Sequence, residues 1–130
     1  MYLPRVAFTV LVVEDDPDLV HVFSSALGRA GHDVLVAATG ARALEVVQSY
    51  VVHVVVTDRG LPDVDGTQVI ARMRELGYRG AVLVTSGHAG PEHEAACRAA
   101  GADAVLGKPF RLAELVQRVV DLAGGRELVA

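Results

Sequence analysis

Five short apolar runs, each rich in valine, constrain the fold of this chain more than any other feature. Their apolar residues are continuous rather than alternating, and this pattern is typical of strands that are buried on both faces of a parallel sheet. The runs occupy residues 8–13, 34–38, 52–57, 81–85 and 103–106. The sequence therefore predicts five strands.

Segments with helical periodicity separate these runs. In three of them apolar residues recur at i, i+3, i+4 and i+7, which predicts amphipathic helices over residues 19–30, 69–76 and 112–123. A shorter helix is predicted at 40–49 and a fifth at 91–100. The fifth helix is expected to bury little area, because its apolar residues are small alanines and one cysteine.

Proline and glycine positions agree with this division. Pro17 stands at a helix start, where its missing N–H is tolerated, and Gly31, Gly77 and Gly101 stand where helices should stop. Cys97 is the single cysteine and cannot form an internal disulfide. We interpret it as a buried packing residue of the fifth helix.

Strands and helices in alternation predict an α/β fold with one doubly wound parallel sheet and helices on both faces. Five strands favour the order 2-1-3-4-5, the flavodoxin-like order, over the six-stranded dinucleotide-binding order. No internal repeat, linker or low-complexity tail divides the sequence. We therefore expect a single domain over residues 1–130, with its core at about 8–123 and no output domain in this chain.

The composition excludes several classes of protein. With 52% hydrophobic and 22% charged residues, the chain has the balance of a globular protein rather than a disordered one. A net charge of -4 without a basic stripe argues against direct binding of nucleic acid. The apolar stretch at 51–56 is too short to span a bilayer, and the N-terminus lacks the features of a signal peptide. We expect a cytoplasmic protein that does not bind membranes.

Polar side chains cluster where the predicted strands end. In a doubly wound sheet, ligands bind outside the carboxyl ends of the strands, near the point where the strand order reverses. The residues that follow four of the strands are Glu14-Asp15-Asp16, Thr57-Asp58, Thr85-Ser86 and Lys108-Pro109. Carboxylates, hydroxyls and the only lysine of the sequence should therefore meet at one edge of the sheet.

Carboxylates held this close repel one another, so the site should attract a cation. Oxygen ligands with spare coordination positions suit Mg²⁺, which binds phosphate oxygens alongside one or two carboxylates. A phosphoryl group could then approach a carboxylate, with the lysine and a hydroxyl contacting its other oxygens. The predicted chemistry is phosphoryl transfer to an aspartate.

Four motifs, taken together and in order, resemble the receiver domain of two-component response regulators over nearly the whole chain. They are LVVEDD at 11–16, TDRGLPDVDG at 57–66, VTSG at 84–87 and KPF at 108–110. The resemblance implies a phosphoacceptor switch rather than a conventional enzyme. The implied phosphoryl donor is a histidine kinase or a histidine phosphotransfer protein.

The resemblance also implies a role for each acidic residue of the site. Asp58 matches the phosphoacceptor, and Asp15 matches a direct Mg²⁺ ligand together with Asp58. Glu14 would act on the metal through water, and Gly60 would offer its backbone carbonyl. Asp16 would have a lesser role.

Three further residues match the phosphoryl-binding part of the family site. Lys108 matches the lysine that contacts the phosphoryl group, and its bond to Pro109 is implied to be cis. Ser86 matches the switch hydroxyl, with Thr85 as the alternative. Val105 departs from the family, which often carries an aromatic residue there as the reporter of phosphorylation.

Other residues near the motifs are expected to be structural or to have a modulating role. Asp63 and Asp65 are interpreted as turn and helix-start acids before the helix at 67–75, and the five histidines as structural. Arg59, Gly60 and His88 border the predicted water path to the acyl phosphate and could set its lifetime. The remaining expectation is homodimerisation through the face formed by residues 91–123.

Two other functions compete with the switch. The first is an aspartyl-phosphate phosphohydrolase similar to haloacid-dehalogenase-like enzymes, which place a general-acid aspartate two residues after the nucleophile. Gly60 occupies that position here. The second is a docking module that works without phosphorylation. Within the switch interpretation, the chain could be a stand-alone regulator, or a receiver from a hybrid sensor kinase or a longer response regulator.

Overall fold

Strands and helices alternate along the whole described part of the chain. A computed structural model describes residues 8–88 and 90–125. The strands are β1 (Thr9–Val13), β2 (Asp33–Ala37), β3 (Val54–Asp58), β4 (Ala81–Ser86) and β5 (Ala104–Gly107). The helices are α1 (Pro17–Arg29), α2 (Gly40–Ser49), α3 (Gly66–Glu75), α4 (Pro91–Ala100) and α5 (Leu112–Gly125).

The five strands form one sheet in the order β2-β1-β3-β4-β5, and every pairing is parallel. The predicted order is therefore confirmed. Because β1 pairs with both β2 and β3, the chain reverses its direction of winding at β1. The carboxyl ends of β1 and β3 consequently lie side by side, at the position where such sheets bind ligands.

The strand boundaries differ from the predicted ones by one or two residues. The largest difference is at β3, which begins at Val54 rather than at residue 52. The preceding His53 donates its backbone N–H to Thr9 O at 2.8 Å, and its Nδ1 accepts a hydrogen bond from Thr9 N at 2.9 Å. Val52 is buried in the loop that leads to the strand, so its apolar character reflects burial rather than strand pairing.

Short-range signals define the helix ends. The side chains of Asp16, Thr39 and Asp65 cap the N-termini of α1, α2 and α3. The predicted stops are also confirmed, because glycines with φ of 95°, 94° and 118° follow α1, α3 and α4. Left-handed backbone is the conformation that favours glycine at these positions. They are Gly31, Gly77 and Gly101.

The core lies in two layers, one on each face of the sheet. Strand residues alternate between them, so Leu11 and Val13 face one layer while Val10 and Val12 face the other. The first layer contains buried residues of α2, α3 and α4, and the second contains those of α1 and α5. Cys97 lies in the first layer and is fully buried, as predicted.

Three apolar residues that the periodicity placed on buried helix faces are partly exposed instead. Val22, Leu76 and Leu112 are 39%, 40% and 39% exposed. Leu76 follows the last residue of α3, and Leu112 is the first residue of α5. Both therefore lie where the helix extends past the layer that it covers.

Helix α4 is the weakly anchored helix that the sequence predicted. Its only buried residue is Cys97, and its N-cap, Gly90, provides no side-chain hydrogen bond. At its other end, Gly101 O accepts hydrogen bonds from Arg74 at 2.9 and 3.2 Å. No helix in the described part of the chain has the length and apolarity needed to cross a membrane.

Candidate functional site

Three carboxylates meet where β1 and β3 end. Glu14 and Asp15 follow β1, Asp58 ends β3, and one oxygen from each lies within 4.8 Å of the others. Parallel pairing of β1 with β3 produces this cluster, since Val13 is aligned with Thr57. The structure therefore brings together the acidic residues that the sequence analysis selected.

Glu14 is the buried member of this cluster. Its side chain is almost fully buried, Oε1 accepts a hydrogen bond from Asp16 N at 3.2 Å, and Oε2 has no partner within residues 8–88 and 90–125. Burial raises the pKa of Glu14, and the negative charge of Asp58 raises it further. A buried carboxylate oxygen without a partner is costly. A hard cation, bound directly or through water, would satisfy it, so the donor set fits Mg²⁺.

Asp16 has a different role from its two neighbours. It caps α1 by accepting a hydrogen bond from Asp18 N at 2.9 Å. This bond occupies one of its carboxylate oxygens at a helix N-terminus. Asp16 is absent from the carboxylate cluster, which agrees with the lesser role expected from the sequence.

The single lysine of the sequence lies beside Asp58. Lys108 Nζ is 3.4 Å from Asp58 Oδ1. The Lys108 backbone N donates to Ser86 O at 2.7 Å, and the Lys108–Pro109 peptide bond is cis, as the resemblance implied. The residue that follows β5, Lys108, therefore places a positive charge beside Asp58, which is one of the three clustered carboxylates.

The two candidate hydroxyls lie on opposite faces of β4. Thr85 is aligned with Asp58 across the β3–β4 pair, and its buried Oγ1 has no partner among the described residues. Ser86 is aligned with Gly107, and its Oγ accepts a hydrogen bond from His88 N at 3.1 Å. Both are buried at the carboxyl edge of the sheet. The assignment of Ser86 as the switch hydroxyl stays a prediction.

The loop between β3 and α3 is held close to the acceptor. Gly60 forms an isolated bridge with Asp65, and Gly66 N donates to Arg59 O at 2.7 Å. A Cβ on Gly66 would lie 2.6 Å from Asp58 O, so only glycine allows this approach of the two backbones. The short loop keeps the backbone of Gly60 near the end of β3, where a Cβ on it would lie 3.9 Å from Asp58 Oδ2.

Asp65 and Asp63 cap two different helices. Asp65 caps α3 by accepting a hydrogen bond from Thr67 N at 2.9 Å, as predicted. Asp63 was interpreted as a turn acid before α3, and it does lie in a bend of that loop, but its side chain caps another helix. It accepts hydrogen bonds from Gly40 N at 2.9 Å and Ala41 N at 3.1 Å, at the start of α2. The first of these bonds is the main cause of the lowered pKa of Asp63.

Two of the five histidines have the structural role that was expected. The Nδ1 atoms of His32 and His53 accept hydrogen bonds from Phe8 N and Thr9 N, at the start of β1. His93 is different, because its Nδ1 contacts Nη1 of Arg59, the residue that follows Asp58. Sequence reasoning missed this pair, since its members lie on separate elements and no local pattern connects them.

Val105, the residue that departs from the family pattern in the sequence, lines a small cavity. Val105, on β5, is partly buried and packs against the first core layer. A cavity of about 130 Å³ lies beside it, between β5 and α4. Its lining residues are His88, Gly90, His93, Glu94, Val105 and Gly107.

A parallel sheet of this order, with an acidic cluster at its switch point and a lysine beside it, defines a doubly wound α/β fold whose polar residues gather at the carboxyl edge of the sheet. A family model of the response regulator receiver domain matches residues 10–120, and the chain belongs to that family. Membership of this family accounts for both the order of the strands and the position of the acidic cluster.

Known proteins of this family occur as parts of larger regulators. The transcriptional regulatory protein PrrA of Mycobacterium tuberculosis is 37% identical over 110 residues, which are 85% of this chain and 47% of PrrA. The sensor histidine kinase RcsC of Salmonella typhi is 32% identical over 108 residues, 83% of this chain and 11% of RcsC. The chain spans about half the length of the transcriptional regulators that it matches.

Solved receiver structures share the fold. The receiver domain of the Francisella response regulator 1452 superposes with a TM-score of 0.86 at 28% identity. The superposition covers 90% of this chain and 97% of that one. The architecture of residues 8–88 and 90–125 is therefore that of a receiver domain.

Proposed function

We propose that this chain is a phosphoacceptor switch in which Asp58 receives a phosphoryl group from a histidine kinase or a histidine phosphotransfer protein. The observation that carries the proposal is the environment of Asp58. Its carboxylate lies within 4.8 Å of two other carboxylates and 3.4 Å from Lys108 Nζ. Such a carboxylate can act as a nucleophile toward phosphorus once the surrounding negative charge is offset.

In the proposed transfer, a carboxylate oxygen of Asp58 attacks the phosphorus atom of a phosphohistidine. An O–P bond forms while the P–N bond breaks, and the electron pair stays on the imidazole nitrogen, which then takes a proton from solvent. Lys108 neutralises the transferred group and donates hydrogen bonds to its oxygens. The hydroxyl of Ser86 is proposed to donate a further hydrogen bond.

Four residues are proposed to hold Mg²⁺. Asp15 and Asp58 would provide carboxylate oxygens, Gly60 its backbone carbonyl, and Glu14 a contact through water. The unpartnered Oε2 of Glu14 supports this donor set. The chemistry that the ion supplies in such a site is neutralisation of the repulsion between the carboxylates and the incoming phosphoryl group.

The output of the switch is proposed to lie outside this chain. Phosphorylation adds a dianion at the sheet edge, which biases an equilibrium between two conformations of the neighbouring loop and helix. PrrA is named a transcriptional regulator and RcsC a sensor histidine kinase. A partner protein, or a domain joined to this one, would read the change here. Cytoplasmic location and homodimerisation through residues 91–123 stay predictions.

Labelling with acetyl phosphate tests the proposed function. We expect the protein, incubated with acetyl phosphate and Mg²⁺, to gain one acid-labile phosphoryl group. Borohydride reduction followed by peptide mass spectrometry should locate it on Asp58. Removing Mg²⁺ with EDTA should suppress labelling, because repulsion within the carboxylate cluster is then no longer offset. A label on another residue would contradict the proposal.

The competing phosphohydrolase function has a separate test. Gly60 has no side chain that could protonate a leaving group, so we expect no sustained turnover of para-nitrophenyl phosphate. Release of many equivalents of nitrophenol per chain would favour the hydrolase. Labelling by acetyl phosphate without such turnover favours the switch.

A magnesium titration distinguishes Asp15 from its neighbour Asp16. We expect Asp15→Asn to weaken Mg²⁺ binding about tenfold or more, because a charged ligand is lost. Asp16→Asn is the matched control, since it also removes one negative charge but keeps a side chain that caps α1 well. Amide shifts during an NMR titration measure both affinities. Equal weakening in the two variants would contradict the assignment of Asp15.

A further inference from the structure

Arg59 directly follows the proposed phosphoacceptor, and its backbone is fixed at the edge of the site. Its N–H donates to Thr85 O at 3.2 Å, and its carbonyl accepts a hydrogen bond from Gly66 N at 2.7 Å. The side chain is 28% exposed and extends toward two other elements. Nη1 contacts His93 Nδ1 on α4, and Nε lies 3.5 Å from Asp65 Oδ1 at the start of α3.

His93 connects this guanidinium to the body of α4. Its Nε2 lies 3.8 Å from Sγ of Cys97, the buried residue of that helix. Burial lowers the pKa of His93, and the positive charge of Arg59 lowers it further. Contact with the guanidinium also requires an unprotonated Nδ1, so the imidazole is neutral in this pair. Because a guanidinium can only donate, Nδ1 of His93 is the acceptor in this pair.

The contact is important for α4 because that helix has few other anchors. It buries one residue and lacks a side-chain N-cap. Its C-terminal end is held by Arg74 through Gly101. The contact between Arg59 and His93 thus joins the N-terminal half of α4 to the residue beside Asp58.

We propose that Arg59 couples Asp58 to α4: in the resting chain it holds the helix through His93, and after phosphorylation of Asp58 its guanidinium moves to the phosphoryl oxygens and releases the helix. This inference depends on the proposed function of Asp58. A hydrogen bond from guanidinium to a phosphoryl oxygen joins two opposite charges, whereas in its bond to a neutral imidazole only the donor is charged. A dianion also attracts the guanidinium more strongly than the single charge of Asp65 does.

The cavity beside Val105 gives the released histidine a place to move. His93 already lines this space of about 130 Å³, together with Val105 and His88. His88 is in turn joined to Ser86, whose Oγ accepts its backbone N–H. In this proposal the imidazole of His93 moves into the space between β5 and α4, and the small side chain of Val105 leaves room for it.

Hydrogen exchange of the resting protein tests the first half of the inference. We expect Arg59→Ala and His93→Ala each to accelerate amide exchange in residues 91–100 about tenfold, because each removes a hydrogen bond to a charged group. Arg59→Lys keeps a cation without the planar donor fork and should give an intermediate rate. Arg72→Ala and His21→Ala, which change the same residue types away from α4, should leave this segment at the wild-type rate. Wild-type exchange in both Arg59→Ala and His93→Ala would overturn the inference.

The phosphorylated protein tests the second half. After labelling with acetyl phosphate and Mg²⁺, compared at equal labelled fraction, the wild-type segment 91–100 should exchange faster, whereas His93→Ala should show no further increase. If Asp58 is labelled and this wild-type segment keeps its resting rate, the coupling is overturned and the phosphoacceptor role stands. If Asp58 is not labelled at all, the proposed function and the release step are both overturned. The resting-state comparison still decides whether Arg59 holds α4.

Discussion

Replacing Asp58 with asparagine should reduce labelling by acetyl phosphate to below about one-thousandth of the wild-type rate, the loss expected when the nucleophile itself is removed. An amide lacks the anionic oxygen that attacks phosphorus, and it is also a poorer ligand for Mg²⁺. The measurement is the initial rate of acid-labile phosphoryl incorporation, followed by intact-protein mass.

A matched control separates loss of the nucleophile from loss of fold. Asp65→Asn removes a carboxylate from the same loop but keeps a good N-cap for α3, so labelling should stay within about threefold of wild type. Asp58→Asn itself should remain folded, because it relieves repulsion within the carboxylate cluster and leaves no cavity. Labelling of Asp58→Asn at the wild-type rate would reject Asp58 as the acceptor.

The sheet could be predicted from the sequence because its signal is local. Valine-rich runs such as the one at 52–57 indicate strands of a parallel sheet, and the number and alternation of such runs favour the order 2-1-3-4-5. The edge strand β2 is less buried than this pattern predicts, since Val36 is 43% exposed. The observed strand ends differ from the predicted ones by one or two residues. The apolar run from Val52 to Val56 indicates which residues are buried, whereas the strand is defined by its hydrogen bonds and begins at Val54.

The acidic cluster was predictable for a related reason. Parallel pairing brings strand ends together whatever the helices do, so Glu14, Asp15 and Asp58 had to meet once β1 and β3 were neighbours. Asp15 joins the cluster and the next residue, Asp16, caps α1, so an alignment shifted by one residue would exchange their roles. The motif provided that register, and the hydrogen bond from Asp18 N to Asp16 agrees with it.

Contacts that depend on side-chain direction could not be predicted. Asp63 caps α2, a helix that begins 23 residues before it, because its loop folds back over Gly40. The pair of Arg59 and His93 joins a loop to a distant helix. Periodicity describes which face of one element is apolar, but it contains no information about which polar residues meet across two elements.

Arg74 is the strongest example of such a contact, and its side chain joins three segments of backbone. Its guanidinium donates to the carbonyls of Tyr78 at 2.9 Å and Gly80 at 2.7 Å, before β4. It also donates to Gly101 O, after α4, and to Asp103 Oδ2 at 3.2 Å. The side chain is only 18% exposed, although arginine is a residue type that is mostly exposed in proteins.

Replacing Arg74 with methionine should lower the free energy of unfolding by about 2–4 kcal/mol, one of the largest effects of a single substitution outside the site. Methionine fills much of the volume, but the carbonyls of Tyr78, Gly80 and Gly101 lose their hydrogen bonds from Arg74. Asp103 loses the positive charge beside it while its Oδ2 continues to accept from Val82 N. The chain has no tryptophan, so urea unfolding is best followed by circular dichroism at the helical band.

Arg72→Met is the matched control, because it removes an arginine from the same helix. Arg72 is 55% exposed and forms an ion pair with Glu75 at 3.0 Å. An exposed pair of this kind contributes little, so its loss should change the free energy of unfolding by less than about 0.5 kcal/mol. Arg74→Lys should lie between the two variants, since one ammonium group cannot reach all the carbonyls that the Nε, Nη1 and Nη2 donors of the guanidinium reach together. Equal stability of Arg74→Met and Arg72→Met would show that the backbone around β4 and α4 is held by other contacts. In that case Arg74 would not fix the C-terminal end of α4, and the proposed release of α4 would have to be explained without that fixed end.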